Sequence, residues 1–350
     1  MNARFISIVI TSLFLLLPFQ ATFAEDIVIP KAKPEAYVGA FYHYKATHED
    51  TLLDIARKYD LGYVEMVSAN PHLDPWIPGE GESVLIPSLH ILPDVPQEGI
   101  VINIGDMRLY KFDNAGRFQK SYPIGVGKEG LKTPLGKTYI TKKTEGPWWY
   151  PTKRMRSEDP SLAAVVKQGK DNPLGSHILY LGWPTYAIHG TNKPWGIGRR
   201  VSSGCVRMYP EDIIKLYEGT DVKTSVRVVD QRYKAAWISG GLYLEVHPSK
   251  AQAAQLEYEE NSLYDFPQGI VEYITEKAGE HSDRIDWVVV RDIILHHTGY
   301  PVRIDKGIEN QGQDSDKQFL SGIFSTHEEQ NRELRESGSS FRFRALGYNE

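Results

Sequence analysis

The spacing of apolar residues changes several times along the chain, and each change predicts a different kind of structure. Residues 5–19 are almost wholly apolar, residues 37–88 show the pattern strand, helix, helix, strand, and residues 99–230 consist mostly of strand-like runs. The first two of these runs alternate around "GD" in "IVINIGDMRLYKFD", which predicts a hairpin. Residues 231–304 mix strand and helix patterns, and residues 305–350 are rich in polar side chains, as is typical of a flexible tail. The sequence therefore predicts a mainly β protein with a small βααβ unit before it and a mixed α/β extension after it.

The first 24 residues have the layout of a secretory signal peptide. Arg4 supplies a positive charge before the apolar run, and Thr22 and Ala24 place small side chains before Glu25, as a cleavage site requires. An uncleaved N-terminal anchor is the alternative, although the apolar run is short for a membrane span. We therefore expect cleavage near Ala24 and a mature protein in the periplasm.

Composition narrows the class further. The chain has 350 residues, 41% of them hydrophobic and 24% charged, and its net charge is −5. These values are ordinary for a globular protein, and the slight acidity argues against nucleic acid as a partner. With a single cysteine, no disulfide can form within the chain, so the hydrophobic core must hold the fold.

The segment 37–88 resembles the lysin-motif domain. Its marks are "DTLLDIARKY" after a strand, then "ANP", then a closing "VLIP", and Asp50 or Thr51 can cap the first helix. The resemblance implies binding to N-acetylglucosamine-containing glycans such as peptidoglycan, in a groove near residues 48–52 and 70–77. As a tether, this unit would be dispensable for turnover of a soluble peptide fragment.

The one thiol lies in "HGTNKPWGIGRRVSSGCVRM", sixteen residues after a histidine. Thiolate chemistry needs a base or an imidazolium partner, and His189 follows a strand-like run that could present it to Cys205. A buried, inert cysteine is the alternative. Neighbouring cations would lower the thiol pKa and could hold a substrate carboxylate; these are Arg199, Arg200 and Arg207.

The same stretch resembles the active-site signature of the L,D-transpeptidases of bacterial cell walls, Gram-negative branch. "TPLGKTYI" and "NPLGSHILYLG" are similar too, so the likeness covers residues 99–230 and implies a β-sandwich-like catalytic domain. The resemblance makes Cys205 the nucleophile and His189 the general base. It implies that the Gly190 carbonyl orients the base, that Gly204 helps to form the oxyanion hole, and that Arg207 contacts the substrate. Ser203 stands where many members have histidine, and we expect its hydroxyl to donate a hydrogen bond instead.

The resemblance also implies the reaction. The substrate is a peptidoglycan tetrapeptide stem, the intermediate is a thioester, and no cofactor or metal is required. The products are 3-3 cross-links or a lipoprotein attached to the wall, and carbapenems acylate the thiol. Two alternatives remain open: a thiol L,D-carboxypeptidase or amidohydrolase that trims stems, and a non-catalytic wall-binding scaffold.

Three other patterns need an interpretation. "GVGKEG" has dinucleotide-site spacing, but Pro134 soon follows and prevents the helix that such a site requires, so a loop near the cleft is expected. The adjacent His296 and His297 lack metal-ligand spacing and fit a helix end capped at Gly299. The aromatic, cationic segment 146–160 is expected to cover the cleft as a lid; its aromatic residues include Trp148 and Trp149.

Overall fold

The computed structural model describes residues 35–128, 130–258 and 266–306. The predicted signal peptide (1–24) and the tail from residue 307 onward lie outside the described residues. Within the described ranges, no helix is both long enough and apolar enough to cross a membrane.

The N-terminal unit has the predicted βααβ order, because its apolar residues turn towards a common core. Thr51 caps the first helix, its Oγ1 accepting from the Asp54 amide at 3.0 Å, and Leu52 and Ile55 are fully buried. The two main strands pair antiparallel around the helices. The elements are β1 (Tyr37–Val38), β2 (Phe41–Lys45), α1 (Leu52–Lys58), α2 (Tyr63–Ala69), β3 (Ser83–Pro87) and β4 (His90–Ile91).

The central part is mainly β, as predicted. Its strands are β5 (Ile100–Asn103), β6 (Arg108–Phe112), β7 (Phe118–Pro123), β8 (Val126–Gly127), β9 (Gly136–Glu145), β10 (His177–Leu181), β11 (Ala187–His189), β12 (Arg200–Ser202), β13 (Val206–Arg207) and β14 (Ser225–Val229). Its helices are α3 (Lys153–Glu158) and α4 (Pro210–Glu218), with a 3-10 turn at Pro194–Gly196.

Eight of these strands form one sheet, in the order β13-β11-β10-β9-β14-β5-β6-β7. The predicted hairpin around "GD" is present as the antiparallel pair β5–β6. Strands β8 and β12 pair separately, in parallel. This order places β11 and β13, which flank the thiol segment, side by side at one edge of the large sheet.

The C-terminal part is mixed α/β. Its elements are β15 (Tyr233–Ile238), β16 (Gly241–Val246), α5 (Lys250–Tyr258), α6 (Ile270–Ala278), α7 (Trp287–His296) and β17 (Val302–Arg303), the strands forming the sheet β15-β16-β17. Two predicted boundaries need correction. Asp305 is buried and pairs with Arg284 and Arg303, so the fold continues past residue 304. The left-handed residue that ends α7 is His297, not Gly299.

The N-terminal unit is packed into the rest of the protein. Leu52 and Met66 belong to the same continuous hydrophobic core as Ile100 and Ile188 of the large sheet. The Tyr209 hydroxyl also donates to the Leu61 carbonyl at 3.2 Å. Removing the unit would therefore expose part of a shared core, so we no longer expect the rest of the protein to keep its turnover without it.

A network of buried charged side chains joins the N-terminal, central and C-terminal parts of the protein. The Lys234 ammonium lies 2.7 Å from an Asp106 oxygen and 2.8 Å from a Glu245 oxygen, and all three side chains are almost fully buried. Glu245 also accepts from the Ile91 amide at 2.6 Å and lies 2.6 Å from His247. Burial opposes the lysine charge, but the two carboxylates outweigh it and raise the pKa of Lys234.

Replacing Lys234 with methionine should destabilise the protein strongly. The substitution keeps most of the side-chain volume but leaves two buried carboxylates without their cation, which costs about 3–5 kcal/mol. The change is measured as the free energy of unfolding in urea. Lys277→Met is the matched control, because the Lys277–Asp94 pair is comparably short at 2.6 Å but lies at the surface, where such pairs contribute at most about 1 kcal/mol. Equal losses in the two variants would contradict the assignment.

Candidate active site

His189 is the last residue of β11, which lies between β10 and β13. Its side chain is buried, and its Nδ1 lies 2.6 Å from the Gly190 carbonyl oxygen. A carbonyl can only accept, so this contact requires the proton on Nδ1 and leaves Nε2 as the basic nitrogen. The contact is the one that the family resemblance implied for Gly190.

The thiol is brought to this histidine by parallel strand pairing. His189 pairs with Arg207 and Ile188 with Val206, so Cys205 directly precedes the strand that runs beside β11. Its sulfur lies 3.5 Å from the Thr185 carbonyl oxygen and receives a hydrogen bond from the Ala187 amide. Two residues sixteen positions apart in sequence are thus brought to neighbouring strands.

The turn before the thiol depends on a glycine. Gly204 has φ +104°, and a Cβ there would lie 2.9 Å from the Tyr186 ring, so larger residues are excluded on both conformation and space. Thr133 donates to the Gly204 carbonyl at 2.9 Å. Gly127 and Thr133 therefore lie against this turn.

Ser202, which the sequence did not single out, organises this turn. Its hydroxyl donates to the Cys205 carbonyl at 2.5 Å and accepts from the Gly204 amide at 3.1 Å. Two corrections follow. The hydroxyl that bonds within the turn belongs to Ser202 and not to Ser203, and the Gly204 amide expected in the oxyanion hole is already occupied. Two adjacent serines look equivalent in sequence, and only the turn distinguishes them.

The resting pair is neutral. Burial, followed by the nearby Arg207 charge, lowers the pKa of His189 to about 4. Burial also raises the pKa of Cys205 above its ordinary value, although the Ala187 amide and Arg207 act in the opposite direction. The expected lowering of the thiol pKa is therefore wrong, because desolvation of the thiolate outweighs the single cation that faces it.

The three predicted arginines separate in space. Arg207 is partly buried beside the thiol, and its Nε meets no hydrogen-bond acceptor among the described residues. The Arg199 guanidinium lies 3.7 Å from the centre of the Tyr63 ring, and Arg200 donates to the Ile104 carbonyl at 3.1 Å. Of the three, only Arg207 contributes to the electrostatics of the thiol.

The segment predicted to be a lid belongs to a long excursion, residues 146–176, between β9 and β10. Trp149 and Val166 exchange backbone hydrogen bonds across it, whereas Trp148 is half exposed and has Lys167 at 5.5 Å from its ring. Gly175, near the end of the excursion, packs against Gly190. The excursion is thus anchored beside the histidine strand.

One cluster has the composition of a metal site. The side chains of Asp106, Glu245 and His247 have ligand atoms within 4.8 Å of one another. The Lys234 ammonium lies between the two carboxylates and already forms an ion pair with each of them. This cluster is an ion-pair network that joins parts of the fold.

A half-buried cysteine next to the strand that carries an oriented, neutral histidine is the arrangement expected of a thiol acyltransferase on a mainly β fold. The description "YkuD: L,D-transpeptidase catalytic domain" matches residues 97–228. The chain is 40% identical over 257 residues to the probable L,D-transpeptidase YbiS of Escherichia coli K12, a match covering 71% of this chain and 82% of that protein. The chain therefore belongs to the L,D-transpeptidase family, and it is an enzyme of that class.

The sequence of a second relative supports the same family assignment. The probable L,D-transpeptidase ErfK/SrfK of Salmonella typhimurium is 36% identical over 262 residues, covering 73% of this chain and 83% of its own. Among solved structures, an L,D-transpeptidase from Mycobacterium smegmatis aligns with TM-score 0.31 and 20% identity, covering 44% of this chain and 71% of that one.

The raised thiol pKa predicts how Cys205 reacts with iodoacetamide. Because only the thiolate reacts, alkylation should accelerate about tenfold per pH unit from pH 6 to 8, without a plateau. Cys205 is the only cysteine, so mass spectrometry of the intact protein reports this thiol alone. N-acetylcysteine in the same buffers is the control and should react faster at each pH. A plateau across this range would instead show a preformed thiolate–imidazolium pair.

Ser202→Ala should slow acylation more than Ser203→Ala. Each of the two hydrogen bonds of the Ser202 hydroxyl contributes roughly 1 kcal/mol. If both hold the reactive geometry, losing them should lower the acylation rate about thirtyfold. Ser203→Ala, at the neighbouring position, should stay within about fivefold. The rate of carbapenem adduct formation measures both. The assignment fails if Ser203→Ala is the more damaging of the two.

Proposed function

We propose that this enzyme acylates Cys205 with a peptidoglycan tetrapeptide stem and transfers the acyl group to an amine. The observation that supports the proposal is the pairing of β11 with β13, in which the strand carrying the Nδ1-anchored imidazole runs beside the strand that directly follows Cys205. Cys205 is the nucleophile, His189 is the acid–base group, and the Gly190 carbonyl holds the imidazole in the required tautomer.

The reaction begins from the neutral pair. His189 Nε2 removes the thiol proton as the sulfur attacks the carbonyl carbon of the third stem residue. The bond to the terminal D-alanine breaks, the imidazolium returns its proton to the departing amine, and a thioester remains. An acceptor amine then attacks the thioester, His189 takes its proton, and that proton returns to the sulfur.

Stabilising the oxyanion falls to the backbone at the nucleophile. Since the Gly204 amide bonds to Ser202, we assign the Cys205 amide as the donor to the developing oxyanion. Gly204 contributes the left-handed conformation that presents this amide. The partly buried Arg207 guanidinium is the proposed contact for a substrate carboxylate, because its charge acts on the thiol.

The excursion over residues 146–176 is the proposed lid. Trp148 offers an exposed ring for stacking, whereas Trp149 holds the excursion in shape through its backbone pairing with Val166. A lid next to the histidine strand would keep water from the thioester, which a transferase needs more than a hydrolase does. Arg199 and Arg200 are directed elsewhere and have no proposed substrate contact.

Residues 37–88 are the proposed glycan-binding module of lysin-motif type. The loop after α2 exposes Trp76 and Ile77, with 48% and 76% of their surfaces accessible, at the place where the resemblance puts the groove. Exposed aromatic and apolar side chains of this kind suit the faces of sugar rings. Binding there would keep the enzyme on the wall while stems enter at Cys205.

Location and acceptor complete the proposal. The N-terminal sequence favours export to the periplasm, where peptidoglycan stems are accessible. The acceptor is an amine of a second stem, giving a 3-3 cross-link, or a lysine of an outer-membrane lipoprotein. Hydrolysis by water, which would make the enzyme a carboxypeptidase, is the competing outcome, and a non-catalytic scaffold is the second one.

Incubation with a purified tetrapeptide muropeptide tests this proposal. The intact-protein mass should increase by the stem minus its terminal D-alanine, and Cys205→Ala should abolish both this adduct and the one-to-one carbapenem adduct. His189→Ala should slow acylation by about 10²–10⁴-fold, the usual range for a positioned acid–base group. An adduct that persists in Cys205→Ala would overturn the assignment.

Products separate the acceptors in the same experiment. Dimeric muropeptides indicate cross-linking, a muropeptide joined to an added lysine-terminated peptide indicates lipoprotein attachment, and free tripeptide stems indicate hydrolysis. An unmodified thiol in all incubations would favour the scaffold.

A further inference from the structure

The segment that connects the histidine to the thiol is held by the N-terminal unit. Residues 190–204 leave β11 and return through β12, and their middle turn lies against the first turn of α2. The Tyr63 amide faces the Ile197 carbonyl at 3.3 Å, and the Val64 amide faces the Gly198 carbonyl at 3.4 Å. The amides that begin a helix have no partner inside it, so here the helix start and the turn satisfy each other.

Two glycines allow the backbones to touch. A Cβ on Gly62 would lie 2.7 Å from the Gly198 Cα, and a Cβ on Gly198 would lie 2.3 Å from the Tyr63 nitrogen. Gly198 also has φ +77°, whereas Gly62 has an ordinary φ of −90°. The backbone conformation of Gly62 would therefore tolerate a side chain, and only the close contact with Gly198 excludes one.

The turn is held from its other side by the central part of the fold. The Gly198 amide donates to the Ile124 carbonyl, and the Arg199 carbonyl accepts from the Val126 amide, both at 3.1 Å. The Arg199 guanidinium stacks on the Tyr63 ring at 3.7 Å, close for a cation–π contact. The turn thus lies between α2 and the segment that contains β8, with no room to shift unless one of them moves.

Only a short path leads from this turn to the nucleophile. Arg199 is followed directly by β12, whose last residue is Ser202. The Ser202 hydroxyl holds both the Gly204 amide and the Cys205 carbonyl. A displacement of the turn would therefore shift the Cys205 sulfur, because only β12 and the two Ser202 hydrogen bonds lie between them.

We propose that the first turn of α2, Gly62 and Tyr63, is a positioning element of the active site: it sets the 197–199 turn and, through β12, the placement of Cys205 against His189. The inference rests on the proposed catalytic roles of those two residues. It gives the N-terminal unit a function in the chemical step besides glycan binding.

Gly62→Ala in the full-length protein is the main test. The added methyl group must push the 197–199 turn away from α2, and misplacement of reacting groups by about 1 Å can cost up to about a hundredfold in rate. We expect kcat for a soluble tetrapeptide fragment, and the rate of carbapenem acylation, to fall about ten- to hundredfold. KM for the fragment and pulldown on insoluble peptidoglycan should stay within about threefold, since neither the substrate contact nor the glycan groove is altered.

Variants at Tyr63 and Arg57 give the matched comparison. Tyr63→Ala removes the platform under Arg199 and should lower kcat, whereas Tyr63→Phe keeps the ring and should restore most of it. Arg57→Ala breaks the ion pair with Glu211, another contact between the N-terminal unit and the central part that does not touch the turn, and should leave kcat unchanged. Thermal unfolding midpoints are measured for all four variants.

The outcomes distinguish this inference from the proposed function. If wild-type protein is not acylated on Cys205, the proposed function fails. If wild type is acylated and Gly62→Ala and Tyr63→Ala match it in kcat, only the positioning role fails. A structural role alone would lower the unfolding midpoints of Gly62→Ala, Tyr63→Ala and Arg57→Ala without separating their kcat values, and this result would also overturn the inference. If Gly62→Ala does not fold, the Tyr63→Ala and Tyr63→Phe pair decides.

Discussion

The parallel register between β11 and β13 is the constraint on which the site depends. It pairs His189 with Arg207 and so places the residue two positions earlier, Cys205, along the same edge as the imidazole. Both strands are very short, two and three residues, and a slip by one residue would turn every side chain to the opposite face. The neighbouring contacts that hold this register are therefore as important to the chemistry as the two reactive groups.

Burial explains the electrostatic state of the pair. An imidazolium and a thiolate would both lose hydration here, and Arg207 further disfavours the imidazolium, so the neutral forms are the stable ones. In the proposed reaction the proton moves only as the sulfur attacks, and the charge that develops passes to the substrate oxygen and the departing amine. Such a site has little thiolate at rest, which also limits oxidation of the thiol.

Charge pairs and close backbone contacts make the three parts of the fold one body. Lys234, Asp106 and Glu245 join the central and C-terminal parts in the interior, and Glu65 of α2 pairs with Arg108 of β6 at 2.9 Å. Buried pairs of this kind cost desolvation and are weak sources of net stability, but breaking one leaves an uncompensated charge. They favour a single arrangement of the parts, and the turn between His189 and Cys205 lies within that arrangement.

The sequence alone determined the kinds of element, and it was the source of the proposal that Cys205 and His189 are the reactive groups. Local rules were enough for the Thr51 cap, the β5–β6 hairpin and the mainly β central part, because neighbours along the chain decide caps, turns and alternation. A lone cysteine after a histidine, with the family signature around it, was enough to predict the site. Tertiary structure decided what depends on distant neighbours: the raised thiol pKa, the choice of Ser202 over Ser203, and the separation of Arg199 and Arg200 from the thiol. The tertiary structure also decided that α2 contacts the turn between His189 and Cys205. Contacts between residues more than a hundred positions apart, and the burial and desolvation that they cause, produce no periodic pattern in a sequence.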